Sequence, residues 1–192
     1  MIAGAADLIR RRGVNATSVR EVVRYTDTPR GSIAHHFPRG KQELVEEALR
    51  YAGREVSVPL EKLVGEHGTI AGLRAFVGLW RKVLESTGYE GGCPVVAVAV
   101  EQYIAEDGTP NAGFQEHLLR LANEIFNDWA GILRTSMRKE GVTPKRAQRL
   151  ASLVVSSVEG TVALCRAARS AQPLDDVQTE LEFLLSSAIP AR

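Results

Sequence analysis

The sequence predicts an all-α fold, a short three-helix head followed by a body of six helices. Three observations carry this. Apolar residues recur at three- and four-residue spacings through most of the 192 residues. Glycine and proline fall mostly between those periodic segments, where they act as stops and starts. The stretch from Ser18 to Phe37 reads as two short helices around a tight turn.

Ile2 to Arg12 forms the first helix, with Ala5, Ala6, Leu8 and Ile9 facing inward. Arg10, Arg11 and Arg12 suit the negative end of its dipole, and Gly13 stops it. Ser18 to Glu21 fits a capping box, in which the Ser18 hydroxyl takes an orphan N–H and Glu21 reaches back. Val19, Val22 and Val23 then place apolar groups on one side. Thr26-Asp27-Thr28 breaks the pattern with side chains that bond their own backbone. Pro29 suits the first turn of a new helix that ends near His36-Phe37, before Pro38.

Lys41 starts the fourth helix, whose stripe is Leu44, Val45, Ala48, Leu49 and Ala52; Pro59 is expected to kink or restart it. Thr69 to Thr87 follows, with Leu73, Phe76, Val77, Trp80, Val83 and Leu84. The apolar run Cys93 to Val100 reads as a short, fully buried helix starting near Pro94. Asn111 to Glu140 carries Phe114, Leu118, Leu121, Ile125, Trp129, Leu133 and Met137 on one face. Thr143-Pro144 opens a helix to about Ala168 with the inward stripe Leu150, Leu153, Val154, Val158, Val162 and Cys165. Asp175 to Ile189 is the last.

The net charge of +1 makes no global case for nucleic acid, but its distribution does. Residues 1–50 hold nine Lys or Arg against six acids, +3, which leaves −2 for the rest. A locally basic module on a near-neutral body is a modest DNA-binding footprint. Cys93 and Cys165 stand far apart with no metal-ligand spacing and read as small buried apolar residues. His35 and His36 are helix neighbours on different faces, which argues against chelation. His67 and His117 read as isolated surface residues. No metal and no cofactor are expected. No apolar run reaches membrane-spanning length and no signal-peptide layout opens the chain, so a cytoplasmic protein without a membrane partner is expected. No phosphate-cradling glycine motif, zinc-protease pattern or nucleophile elbow appears, and Glu101, Glu106, Asp107 and Glu159 have no evident paired role, so catalysis is not expected.

The residues Ala16-Thr17-Ser18-Val19-Arg20-Glu21-Val22-Val23, Pro29-Arg30-Gly31-Ser32-Ile33, His35-His36-Phe37-Pro38, Gly40-Lys41 and Leu44 resemble the DNA-binding domain of the TetR family of bacterial transcriptional regulators. The resemblance covers residues 5 to 50. Asp27 stands where the family usually has glycine, and Ala34 where a phosphate-contacting tyrosine is usual. Gly92-Cys93-Pro94 and the small apolar helix after it resemble the body of the family's lincomycin and multidrug-efflux repressors. The resemblance implies a head at residues 1–40, a ligand-binding and dimerisation body at 41–192, and an operator of double-stranded DNA.

On the residues themselves, Thr17 and Ser18 present hydroxyls and helix N-terminal N–H groups to a phosphate, though Ser18 as a cap alone is equally compatible. Thr28, Pro29, Arg30, Gly31 and Ser32 open the recognition helix, where Arg30 alone can grip guanine through two hydrogen bonds. His35 faces phosphate by resemblance, and Lys41 is placed for a phosphate at its helix start. An aromatic-rich set in the body, Phe76, Trp80, Cys93, Val100, Tyr103, Phe126, Trp129 and Cys165, is ordinary core or lines a small-molecule pocket. Ser152, Ser156, Gly160 and Ala163 or Ala167 form a small-residue stripe which, with Leu181, Leu184 and Leu185, would hold a homodimer. These expectations add up to a repressor released from a palindromic operator by a small apolar effector. The rivals are an activator or metabolite sensor of the same family and, from another class, a ligand-free protein-interaction module.

Overall fold

The computed structural model describes residues 1–29, 36–105 and 107–190. Among these residues all the regular elements are helices: α1 (Ile2–Arg12), α2 (Val19–Tyr25), α3 (Lys41–His67), α4 (Thr69–Ser86), α5 (Pro94–Val100), α6 (Ala112–Lys139), α7 (Pro144–Ala168) and α8 (Gln172–Ala188). The expected recognition helix lies mostly outside the described residues. The body has its six helices, α3 to α8.

The chain forms two compact units, Met1–Arg54 with Gly92–Ile125, and Glu55–Gly91 with Phe126–Arg192. The first contains the whole of the expected head. Helices α3 and α6 each run without a break from one unit into the other.

In the first unit, Leu8, Ile9, Val22, Leu44, Val45, Ala48 and Leu49 are buried, as the helical spacing marks, and Val14 in the turn after α1 is buried with them. The capping box at the start of α2 is complete: Glu21 N–H donates to Ser18 Oγ at 3.2 Å, and Ser18 N–H donates to Glu21 Oε2 at 3.1 Å. At the other end Thr26 Oγ1 donates back to Val22 O at 2.8 Å, and Asp27 holds φ +49°. That is the left-handed conformation for which glycine is usual; aspartate, with its short polar side chain, tolerates it better than most. Ser18→Ala is expected to lower stability by about 1 kcal/mol, read from urea unfolding. The Ser18 backbone N–H, ahead of burial acting the other way, holds the Glu21 carboxyl below its ordinary value. A lowered folded pKa means that this contribution is present above the unfolded value and lost as pH falls through the folded one. Glu21→Gln removes the titrating carboxyl, so in that variant the acid-side fall in stability is expected to be shallower than in wild type.

In the second unit the core is Leu60, Val64, Leu73, Phe76, Trp80, Leu84, Trp129, Leu133, Leu150, Val154, Val158, Leu174 and Leu185. Gly72 lets α4 close on α3: a Cβ there would lie 2.5 Å from Val64 Cα. Of the two expectations for Pro59 the restart is excluded, and two further expectations are corrected. Helix α3 continues through Pro59 without restarting, anchored beyond it by buried Leu60 and Val64. Helix α5 is only partly buried, since Pro94, Val95 and Val98 face inward while Val100 is 77% exposed. Leu153 is exposed instead of inward, because Leu150, Val154 and Val158 already cover that side of α7.

Candidate DNA-binding and effector sites

Ser18 caps α2 as described and stands half-buried at its N-terminus, where the orphan N–H groups can meet an anion. Thr17 does not share that role. It is 2% exposed, and its Oγ1 donates to Gly13 O at 2.8 Å, tying off the end of α1. Thr28 Oγ1 pairs with Thr26 Oγ1 at 2.7 Å, and Pro29 is exposed. Arg30, Gly31, Ser32 and His35 lie outside the described residues.

Lys41 departs from expectation. It is only 7% exposed, with its ammonium 5.4 Å from the centre of the Tyr103 ring. The negative face of the ring and the loss of water favour that position. His117 also departs: it lies 3.4 Å from Glu46, which takes hydrogen bonds from Arg39 at 3.3 Å and Arg50 at 3.0 Å. Burial raises the Glu46 pKa, but the Arg50 hydrogen bond and the charges of His117, Arg50 and Arg39 outweigh it and hold the carboxyl low.

The segment after α5 is strapped to the turn between α1 and α2. Glu101 Oε2 accepts from Val14 N–H at 2.9 Å and Asn15 N–H at 3.2 Å. Asn15 Nδ2 donates to Gln102 O at 2.7 Å, and its Oδ1 accepts from Ile104 N–H at 2.9 Å. Ahead of α5, Gly92 N–H donates to Arg10 O at 2.9 Å. Tyr103 packs edge-on against Phe114, with ring centres 4.7 Å apart. Gln115, on α6, accepts from Tyr103 N–H and donates to Glu101 O.

In the second unit a cavity of about 20 Å³ is walled by Leu60, Leu73, Phe76, Trp129, Leu133, Val154 and Val158, with Val56 and Val155. Glu159 completes the wall. Of the expected effector residues, Phe76 and Trp129 meet here, and Phe126 packs edge-on against Trp129 at 5.4 Å. Trp80 and Cys165 are buried but do not line this space, and the Trp80 indole N–H meets no acceptor among the described residues. Burial raises the pKa of the Cys165 thiol and keeps it unreactive. Cys93, Val100 and Tyr103 belong to the first unit. A roomier groove of about 800 Å³, touching Glu61, Asp128, Arg134, Lys139 and Glu140, is open and of mixed charge, with no apolar enclosure to hold a small molecule.

Residues 1–48 match the family of bacterial regulatory proteins, tetR family, and residues 69–180 match the C-terminal domain of LmrA/YxaF-like transcriptional regulators. The chain belongs to the TetR family of transcriptional regulators. The HTH-type transcriptional regulator Rv0196 of Mycobacterium tuberculosis is 35% identical over all of this chain and 95% of its own length. The HTH-type regulator YxaF of Bacillus subtilis is 26% identical over 94% of this chain and 91% of its own. A TetR transcriptional regulator from Chloroflexus aurantiacus shares the fold at a TM-score of 0.73, with 26% identity over 98% of this chain and 93% of that one.

Regulators of the TetR family bind DNA and typically dimerise, so the placement of the stripe on α7 matters. Ser152, Ser156, Gly160, Ala163 and Ala167 are all exposed, together with Leu153 and Leu164. Leu181 and Leu185, expected at the interface, are buried in this chain's own second unit because they face its core; Leu184 is half-buried, and the exposed apolar residue of α8 is Phe183. Two functional candidates went unassigned in the sequence. Glu101 gave no local signal, since its partners lie more than 80 residues away. Glu159 gave one: it is the sole acid between Pro144 and Ala168.

Proposed function

We propose that this TetR-family regulator is a homodimeric repressor that binds a palindromic operator and releases it when a small, mostly apolar molecule enters the second unit. Residues 1–40 act as the DNA-binding domain and residues 41–192 bind the effector and the second copy. The observation that carries this reading is one chain holding both a capped α2 within the segment that matches the tetR-family model and, elsewhere, a small, mostly apolar cavity beside Phe76 and Trp129. Ligand binding acts by population shift, favouring a dimer whose recognition helices no longer match successive major grooves. Two features support the coupling. Helices α3 and α6 carry any change of axis covalently from unit to unit. The strap of Glu101 and Asn15 then fixes the α5–α6 segment to the turn just ahead of α2.

Selecting duplexes from a random pool with the purified protein tests the DNA-binding half. A palindromic consensus is expected. Arg30→Ala should relax one position in each half-site, at a cost of about 1–3 kcal/mol against the consensus and little against other DNA. Recovery of no consensus would overturn the reading. An unchanged consensus with Arg30→Ala would remove Arg30 from base reading.

A further inference from the structure

We infer that Tyr25 is a positioning residue for operator recognition: its hydroxyl, held by Asp7 of α1, fixes the end of α2 and with it the point from which the recognition helix starts. This rests on the operator reading above and adds to it a determinant that touches no base.

Tyr25 is the last residue of α2 and stands immediately before the Thr26-Asp27-Thr28 turn. It is 53% exposed, so burial gives it little share in the core. Its hydroxyl donates to Asp7 Oδ2 at 2.5 Å. Asp7 is itself held in place, since Arg10 Nε donates to its Oδ1 at 2.6 Å and Arg11 Nε to its Oδ2 at 2.9 Å. Burial raises the Asp7 pKa, but the hydrogen bonds from Tyr25, Arg11 and Arg10 outweigh it and hold the carboxyl low, so the acceptor is ionised at neutral pH. A second contact lies beside the first. Gly4, three residues before Asp7 and so on the same face of α1, admits Thr26: a Cβ there would overlap Thr26 Cγ2 and lie 3.4 Å from Tyr25 Cδ1. From Thr26 the order continues into the turn, through its bonds to Val22 O and Thr28 Oγ1 and the bond from Thr28 N–H to Val23 O at 3.1 Å. The apolar contacts of Leu8, Ile9 and Val22 hold the head together but have no direction. The phenol–carboxylate bond has one, and it sets where the turn lies.

Operator binding needs that setting, and binding to DNA at large does not. Base edges are read by contacts that demand exact placement, whereas the phosphate backbone attracts basic surface in any register. Released from Asp7, the turn samples other settings, and operator affinity falls with the fraction of molecules that stays competent.

The test uses full-length protein and two duplexes, the one that wild type selects and a scrambled one of the same length and composition. Fluorescence anisotropy reads both affinities. Tyr25→Phe is expected to lower their ratio about three- to tenfold, which is what one hydrogen bond is worth. Asp7→Ala also removes a negative charge, but that acts on both duplexes alike, so the ratio should fall at least as far. Tyr25→Phe added to Asp7→Ala should take nothing more. Urea unfolding separates a structural role, because a variant still fully folded under assay conditions would bind as wild type does if the bond served stability alone. An unchanged ratio in Tyr25→Phe would overturn the assignment. An equal loss on both duplexes would make the phenol a phosphate ligand and overturn it as well. Additive losses in the double variant would separate Tyr25 from Asp7 and refute the link. A wild type that selects no duplex would overturn the operator reading and this one together.

Discussion

Gly160→Leu is expected to convert the protein to a monomer at micromolar concentration and to abolish operator binding in parallel. Gly160 lies inside α7, where a glycine costs about 1 kcal/mol relative to alanine. Nothing within the chain accounts for it: Gly160 is exposed, and a Cβ built there has no neighbour within 4 Å. Among the described residues that space is open, which leaves room for the close approach of a second copy. Around it lie the exposed small residues of the stripe, with Leu153, Leu164 and Phe183, the last 71% exposed. Helix α7 is also apolar beyond its own core's needs, with a mean hydropathy of 1.4 over its best 18-residue window, less than half of it buried. A second copy of the same face supplies a use for that surface through twofold symmetry. Each inserted leucine should cost about 1–3 kcal/mol of overpacking, and symmetry inserts two, for about 2–6 kcal/mol in all. The fold itself should hold, since leucine is the better helix former and meets open space. Sedimentation equilibrium would read the mass and circular dichroism the helix content. A variant that remains dimeric, or a wild type that is monomeric at micromolar concentration, would refute the assignment. Operator binding follows the dimer because one recognition helix reads one half-site, and two must be held a helical turn apart.

Local and periodic information carried most of the helices. The capping box at Ser18 and Glu21 was readable because its partners sit three residues apart, and Gly13 marked the end of α1 within the same turn. Periodicity placed Phe114 to Met137 on one face of α6 without knowledge of what lay opposite. Where two faces of one helix are both apolar, that signal runs out. Leu153 and Leu150 differ only in which side of α7 the rest of the unit covers, and Leu181 and Leu185 looked surplus only while α4 and α7 were not yet seen to bury them. Long-range polar contacts were beyond reach for a different reason. Lys41 over Tyr103 and Glu101 on the Val14 and Asn15 amides join segments more than 60 residues apart, and no spacing rule connects them. Lys41 therefore read as an exposed phosphate ligand and Glu101 as an idle carboxylate. Glu159 was visible as an anomaly, a lone acid in an apolar helix, but only the cavity gave it a place.

The Glu101 strap is expected to reveal itself in a double-mutant cycle with Gly13. Gly13 holds φ +84° and ψ 173°, a region open essentially to glycine alone, and a Cβ there would fall on the Glu101 carboxylate. Gly13→Ala thus acts twice. The backbone conformation costs about 1–3 kcal/mol, and the displaced carboxylate abandons the N–H groups of Val14 and Asn15. Val14 is buried, so its N–H finds no water in exchange, at a further cost of about 1–3 kcal/mol. Glu101→Ala should lose only that second part, and Glu101→Gln less again, since a neutral acceptor replaces a charged one. In the double variant the carboxylate is already gone, so alanine at position 13 has nothing left to displace. The double variant should be no less stable than Gly13→Ala alone, a departure from additivity equal to the whole cost of Glu101→Ala. Urea unfolding of the four proteins of the cycle, with Glu101→Gln as a fifth, measures all the terms. Additive losses would mean that the carboxylate moves aside and keeps its amide partners, which would refute the displacement, and a Glu101→Ala variant as stable as wild type would mean that the strap plays no part in holding the turn ahead of α2.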